Sequence, residues 1–159
     1  MEGPSSDPDL ATAKPLRSGR GFADFAPGDE FAHRRSRTVT EADAVLFATQ
    51  TLDWDGLGEP QIVAGPYLVL AIAVGLSVED LSERSEAFLG MESVEFGSPV
   101  LPGDTLSAHS RVREVRRSRS NPGRGIVTWE TEARNQRGHV VVSLVRSNLF
   151  AVEDADAAD

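Results

Sequence analysis

Ile62-Val63-Ala64-Gly65-Pro66-Tyr67-Leu68-Val69-Leu70-Ala71-Ile72-Ala73-Val74-Gly75-Leu76 decides the reading of this chain. A glycine closes a short apolar segment and a proline opens a long apolar run. Proline suits the first position of a helix, where its missing N–H costs nothing. The run is apolar on nearly every face, so a long buried helix is expected from Pro66 to about Asp80. Its first turn leaves N–H groups unpaired and carries the positive end of the helix dipole. A buried helix N-terminus entered through Gly65 is a candidate site for a developing oxyanion, such as a thioester enolate.

Outside this segment, composition sets bounds. The chain has 159 residues, which fits one domain, and about Gly21 to Val152 is long enough to bury a core. The net charge of -9 and pI near 4.8 argue against non-specific nucleic-acid binding. There is no cysteine, which excludes disulfides, thiolate metal sites and a cysteine nucleophile. Met1 to Pro8 lack the basic and apolar regions of a signal peptide, and Ile62–Leu76 is short for a membrane span. A soluble, cytoplasmic protein is expected.

Residues 1–19 are rich in Pro, Ser, Gly and Asp and are expected to be a disordered tail; residues 153–159 are expected to be an acidic one. Between them the pattern is α+β. Glu30 to Thr38 reads as a strand. Thr40 is a candidate N-cap for a helix reaching Thr51, with Glu41 and Asp43 in its first turn and Ala44, Val45, Phe47 and Ala48 as its apolar face. Later strands are expected at Phe88–Phe96, from Thr105, at Gly125–Asn135 and at His139–Phe150. Pro102-Gly103-Asp104, Asn121-Pro122-Gly123 and Gln136-Arg137-Gly138 mark turns. In the second of these strands Leu106, Ala108, Ser110, Val112, Glu114 and Arg116 share one side, by strict alternation. One long helix among several antiparallel strands suggests a curled sheet around a central helix.

The order of short motifs resembles the MaoC-like branch of the hot-dog fold over roughly Phe22 to Phe150. The matching pieces are Phe22-Ala23-Asp24-Phe25-Ala26-Pro27-Gly28-Asp29, Thr38-Val39-Thr40-Glu41-Ala42-Asp43, Ile62-Val63-Ala64-Gly65, Pro99-Val100-Leu101-Pro102-Gly103-Asp104-Thr105-Leu106 and Asn135-Gln136-Arg137-Gly138. Gly75-Leu76-Ser77-Val78 and Arg117 to Thr128 look most like the mesaconyl-CoA hydratase relatives. The resemblance implies a single hot-dog domain over 20–152 and an acyl-thioester substrate, on CoA or an acyl carrier protein. It also implies that the Gly65 N–H donates to the thioester carbonyl.

The chain departs from the family at one place. Hydratases of this branch carry an Asp and a His in a short Asp-x-Asn-Pro-x-His segment after the first helix. Here that segment is Thr51-Leu52-Asp53-Trp54-Asp55-Gly56-Leu57-Gly58-Glu59-Pro60, with no histidine, and Ala64 stands where the family often has His. Asp53, Asp55 and Glu59 are the ionisable groups available there. A carboxylate in an apolar site can serve as base or acid near neutral pH. As loop residues they can equally be caps or solubilisers. His33, His109 and His139 all fall on expected strands, where a lone histidine is more often a surface or satisfied core group. No metal site and no cofactor are expected.

Asp53, Asp55 and Gly65 are therefore the catalytic candidates. Gln61, Ala64 and Tyr67 border the site and, with Glu59, are substrate-binding candidates. Trp54 and Trp129 are expected in the core or pocket wall. The basic run Arg111–Arg119, with Arg124, stands out in an acidic chain, and Arg117, Arg119 and Arg124 are candidates for the phosphates of CoA or a carrier's phosphopantetheine. The alternative is a charge-protected edge strand.

Three functions fit. The first is a hydro-lyase on an acyl thioester, or related proton-transfer or cyclisation chemistry, with a carboxylate-based site. The second is a non-catalytic subunit of a heteromeric hydratase. The third is a hot-dog thioesterase. A homodimer, or a heterodimer with a related hot-dog subunit, is expected, with the site at the interface and with neither nucleic acid nor membrane as partner.

Overall fold

A computed structural model of the chain describes residues 19–54, 57–58 and 61–152. A short 3₁₀ turn at Phe22–Asp24 precedes strand β1 (Glu30–Thr38) and helix α1 (Glu41–Thr51). Helix α2 (Pro66–Leu81) follows, then β2 (Ala87–Phe96), β3 (Thr105–Arg117), β4 (Arg124–Arg134) and β5 (Val140–Ala151). The strands form one five-stranded sheet in the order β1-β3-β4-β5-β2, every neighbouring pair antiparallel. The sheet curls round α2, giving the α+β arrangement that the sequence suggests. Of the tails expected at 1–19 and 153–159, only Gly19 falls within the described residues.

Local chemistry sets the element ends. Thr40 caps α1: its hydroxyl accepts from Asp43 N–H at 3.2 Å, and Asp43 reaches back to the Thr40 N–H at 2.9 Å. This reciprocal capping box satisfies two orphan donors. Pro66 occupies the first position of α2, after Gly65 as N-cap. Asp104 fixes the turn before β3. Burial works to raise its pKa, but the Leu101 N–H, the Gln136 amide and Arg137 outweigh it and hold the carboxylate below its ordinary 3.8.

Two expectations need correction. Strict alternation along β3 fails, because the β3–β4 register shifts between Val112 and Glu114. Val115 therefore packs toward the core beside Trp129 and Phe150, while Glu114 and Arg116 are exposed. Nor is α2 buried all round: Tyr67, Ala71, Gly75 and Val78 are exposed along one side. The curled sheet covers only the opposite face, so an apolar stripe is left over.

The buried face of α2 meets two kinds of floor. Its first half packs on an apolar cluster that includes Val100, Leu106, Ala108, Ala133, Val141 and Val142. Each large apolar side chain buried in this way contributes about 1.5–3 kcal/mol. Its second half meets polar groups. Asp80 Oδ2 lies 2.8 Å from His33 Nδ1, His33 Nε2 lies 2.8 Å from Ser110 Oγ, and Ser110 Oγ lies 2.8 Å from Thr131 Oγ1. Arg146 donates to Ser77 Oγ at 3.0 Å and to Ser82 Oγ at 3.3 Å, and its guanidinium stands 5.4 Å from the centre of the Trp129 ring. Burial lowers the Arg146 pKa to about 10, which leaves it charged at neutral pH.

The Asp80–His33–Ser110 order has the look of a nucleophilic triad, but Ser110 is fully buried (0% exposed), so no substrate reaches its hydroxyl. The network is structural, and it has a pH signature. Burial pushes His33 below its ordinary 6.5, against the raising pull of Asp80. The unfolded chain thus takes up a proton near pH 6.5 that the folded chain refuses, so stability falls as pH drops below 6.5. Asp80, which His33 and Arg20 hold below 3.8 despite its burial, adds a loss only in stronger acid. The urea midpoint is expected to fall between pH 7 and pH 5, and to fall less in His33→Gln. Equal falls in both proteins would remove His33 as the source.

Candidate active site

The N-terminal end of α2 is built by converging loops. Ala64 N–H donates to Val100 C=O at 2.8 Å, and Gly97 and Ser98 N–H donate to Val141 and Val140 C=O at 3.0 and 2.9 Å. These bonds set the chain entering α2 against the end of β2 and the start of β5. Pro66 has no N–H to offer, so Gly65 and Tyr67 carry the donors of the first turn. Neither donates to a backbone carbonyl among the described residues.

Gly65 has φ -55° and ψ 143°, a conformation open to any residue. A methyl group placed on it would stand 3.8 Å from the Phe47 ring and 3.9 Å from Asp53 Oδ2, both ordinary contacts. Neither backbone strain nor crowding within the chain therefore demands glycine here. Those distances also place the half-buried Asp53 carboxylate and the Phe47 ring around the α2 N-terminus. Asp53 follows the end of α1, where Leu52 takes the left-handed conformation at φ 59° and turns the chain back. Phe47 is the site neighbour that sequence reasoning missed. Its only signal was its place on the apolar face of α1.

The remaining candidates divide. Ala64 is buried beside Gly65, and Gln61 is exposed at the entrance to this segment. Tyr67 is 62% exposed and turns away to meet Phe96 edge-on, with ring centres 6.0 Å apart. Asp55 and Glu59 lie outside the described residues. Trp54 is 53% exposed rather than in the core, whereas Trp129 is fully buried. His109 and His139 are exposed, on the outer face of β3 and in the turn before β5.

Arg117, Arg119 and Arg124 sit at the far end of the sheet. Arg124 pairs in register with Ala151, whereas the Gly65 end meets β5 at Val141. Ten residues of strand separate these points, on the order of 30 Å. Arg117 donates to Pro122 C=O at 3.0 Å, Arg124 forms an ion pair with Glu86, and Arg119 is exposed. One chain alone does not bring these arginines to Gly65, because the β3–β4 hairpin points away from the start of α2. Among the described residues no cluster of three or more His, Asp or Glu can hold a metal, and no helix is long and apolar enough to cross a membrane.

Cavities border α2 along its length, two of them lined by residues between 63 and 76 of the chain entering and forming it. One of about 190 Å³ lies beside its start, lined by Val63, Ala64, Pro66, Phe96, Pro99 and Val141 among others. The other, about 520 Å³, is a groove between α2 and β1.

A curled antiparallel sheet wrapped round one helix defines a hot-dog fold. The solved structure of a MaoC-like dehydratase from Rhodospirillum rubrum superposes with a TM-score of 0.74 at 25% identity, over 86% of this chain and 99% of that one. A Mycobacterium tuberculosis protein with a double hot-dog fold superposes with a TM-score of 0.74 at 21% identity, over 89% of this chain but 47% of its own length. The family profile described as mesaconyl-CoA hydratase matches residues 7–159. The chain belongs to the mesaconyl-CoA hydratase family of MaoC-like proteins. The mesaconyl-CoA hydratase of Haloarcula hispanica is 36% identical over 99% of this chain, yet over 47% of its own length. The chain thus spans about half the length of the curated relatives it matches.

The geometry at Gly65 makes one prediction. Gly65→Ala keeps the N–H and fits the fold, costing at most about 1 kcal/mol as a poorer cap. It is nevertheless expected to weaken substrate binding or turnover, because the methyl fills the space between Phe47 and Asp53. Thermal melting and thioester kinetics on the same preparation check this. Unchanged kinetics would show that the space is not used.

Proposed function

We propose that this chain acts on acyl-CoA thioesters as a hydro-lyase, adding water across an α,β-double bond or removing it. One observation carries the reading: a carboxylate, Asp53, and a helix N-terminus at a glycine that the fold does not require meet at one point. Hydration places the water oxygen on Cβ and a proton on Cα, and passes through an enolate. The Gly65 N–H and the α2 dipole offer that enolate oxygen a positive end. Asp53 is suited to take the proton from the attacking water. The names of the relatives, mesaconyl-CoA hydratase and beta-methylmalyl-CoA dehydratase, support the reaction class.

A second reading is favoured by another fact. Residues 51–60 contain no histidine. That fits a non-catalytic subunit that shapes the site of a related hot-dog subunit.

We propose further that the chain pairs with a partner, and the chemistry of the two sheet edges supports β2 as the place. β1 carries exposed Arg34, Arg35 and Arg37 and is interrupted by a bulge, both devices that discourage pairing. β2 exposes Phe88, Leu89 and Phe96, and Phe96 continues the patch to Tyr67. A second copy, or a related subunit, pairing antiparallel along β2 would set the Ala87 end of one chain beside the Phe96 end of the other. That arrangement carries the Arg117–Arg124 hairpin of one subunit toward the Gly65 end of its partner, where CoA phosphates would lie.

Mass spectrometry of the chain with crotonyl-CoA and mesaconyl-CoA is expected to show the gain of one water. Asp53→Asn is expected to slow that reaction roughly 10²–10⁴-fold, the usual worth of a general base. Full activity of Asp53→Asn would sink the carboxylate role, and release of free CoA would favour a thioesterase. No reaction alone, with activity restored by a histidine-bearing hot-dog subunit, would establish the second reading. Sedimentation is expected to show a dimer that Leu89→Arg converts to monomer; an unchanged dimer would move the interface off β2.

A further inference from the structure

The last strand ends beside the arginine hairpin between β3 and β4. Ala151 pairs in register with Arg124, and the Val152 N–H donates to Gly123 C=O at 3.0 Å. The sequence then continues Glu153-Asp154-Ala155-Asp156-Ala157-Ala158-Asp159, with four carboxylates and no cation. We propose that this acidic segment docks on the arginine hairpin of its own chain, over Arg117 and Arg119, and that a polyphosphate ligand must displace it to reach those cations. The docking stands apart from the hydro-lyase reading; only the natural competitor, the phosphates of CoA, rests on it.

Unmet charge supplies the first argument. Arg116 lies 3.2 Å from Glu114, and Arg124 pairs with Glu86. Arg117 instead donates to Pro122 C=O at 3.0 Å, and Arg119 is exposed. Among the described residues neither of these two cations meets a carboxylate. The chain as a whole carries a net charge of -9, so a basic hairpin is where an acidic segment finds attraction rather than repulsion.

Reach supplies the second. Arg117 pairs with Gly125, and Gly125 with Phe150, so the three stand in one row across β3, β4 and β5. Two strand spacings, about 10 Å, separate the first from the last. Seven extended residues span at most about 25 Å, enough to cross β4 to Arg117 and go on to Arg119. Tethering supplies the third. An exposed ion pair is weak by itself, because salt screens it and two side chains must be ordered. Here the Val152–Gly123 bond fixes the start of the segment at the hairpin turn, which raises the effective concentration of its carboxylates there to about the millimolar range. A contact held by charge rather than by packing yields to a denser polyanion.

The chain has no cysteine, so Ala158→Cys gives a single site for a nitroxide label on the full chain. The label is expected to broaden the NMR amide signals of residues 117–121 in 0.01 M salt, where charges act over about 30 Å, and to lose that effect in 1 M salt, where they act over about 3 Å. Glu153→Gln, Asp154→Asn, Asp156→Asn and Asp159→Asn together are expected to reduce the broadening severalfold, and Arg117→Gln with Arg119→Gln to do the same from the other side. Broadening unchanged by the variants and by 1 M salt shows a tether without docking and overturns the proposal. So does comparable broadening in an unlabelled, isotope-enriched chain mixed with the spin-labelled one, since the segment then docks on another copy. Inorganic triphosphate is expected to relieve the broadening at lower ionic strength than sodium chloride does; equal relief at matched ionic strength defeats the displacement. Docking and displacement in a protein that hydrates no thioester leave the segment assigned and defeat the hydro-lyase reading instead.

Discussion

The seating of α2 on the sheet is the constraint on which the rest depends. Apolar packing alone holds a helix against a sheet without fixing its axial position well, because dispersion and hydrophobic contact are non-directional. Here such a floor lies under the first part of α2 and again under its last residue, Leu81. The second half is pinned by directional bonds: Asp80 to His33, then on to Ser110 and Thr131, with Ser77 and Ser82 to Arg146. A buried guanidinium with two hydroxyl partners does not tolerate a slide of one residue, because desolvated polar groups left unpaired cost roughly 1–3 kcal/mol each and a charged one more. The polar half thus fixes the rod, and the rod fixes where Gly65 points.

The opposite end is held by the sheet rather than by side chains. Val39 N–H donates to Asp104 C=O and Gly103 N–H to Val39 C=O, each at 2.8 Å, while Ala64 donates to Val100. Backbone bonds of this kind position the entry to α2. The first turn is bordered by Phe47 and Asp53. Rigid backbone support of this kind is what electrostatic preorganisation at the proposed site would require.

Much of this was legible because the signals are local. The Thr40 capping box, Pro66 at the first turn of α2 and the turn at Pro102-Gly103-Asp104 each act within a few residues, and the elements begin where they indicate. The polar floor was not legible. Ser77, Asp80 and Ser82 read as an ordinary helix end, and their partners stand between 47 and 69 residues away in sequence. His33 could be read only as a lone strand histidine. The β3 bulge was hidden for a related reason: Glu114-Val115 gives no local sign that the register shifts, and the pairing with β4 decides it. At the site, Gly65 and Asp53 were visible as candidates, but Phe47 joined them only once α1 had folded back.

The basic run shows how a correct sequence observation can be assigned to the wrong place. Arg117, Arg119 and Arg124 do cluster, yet they do so a full strand length from Gly65. An intramolecular phosphate site is therefore excluded by distance, not by chemistry. The pairing proposed above would restore the connection by symmetry. β2 runs from the arginine end of the sheet to the Gly65 end, and it is the edge that carries exposed Phe88, Leu89 and Phe96. Antiparallel pairing of two such edges reverses one subunit relative to the other, so each arginine hairpin is carried toward the opposite helix N-terminus. The same geometry follows whether the partner is a second copy or the other half of a double hot-dog. In the proposed pairing, the separation of the two candidate clusters within one chain becomes proximity between two, because a strand length along one subunit is traversed by the reversal of the other.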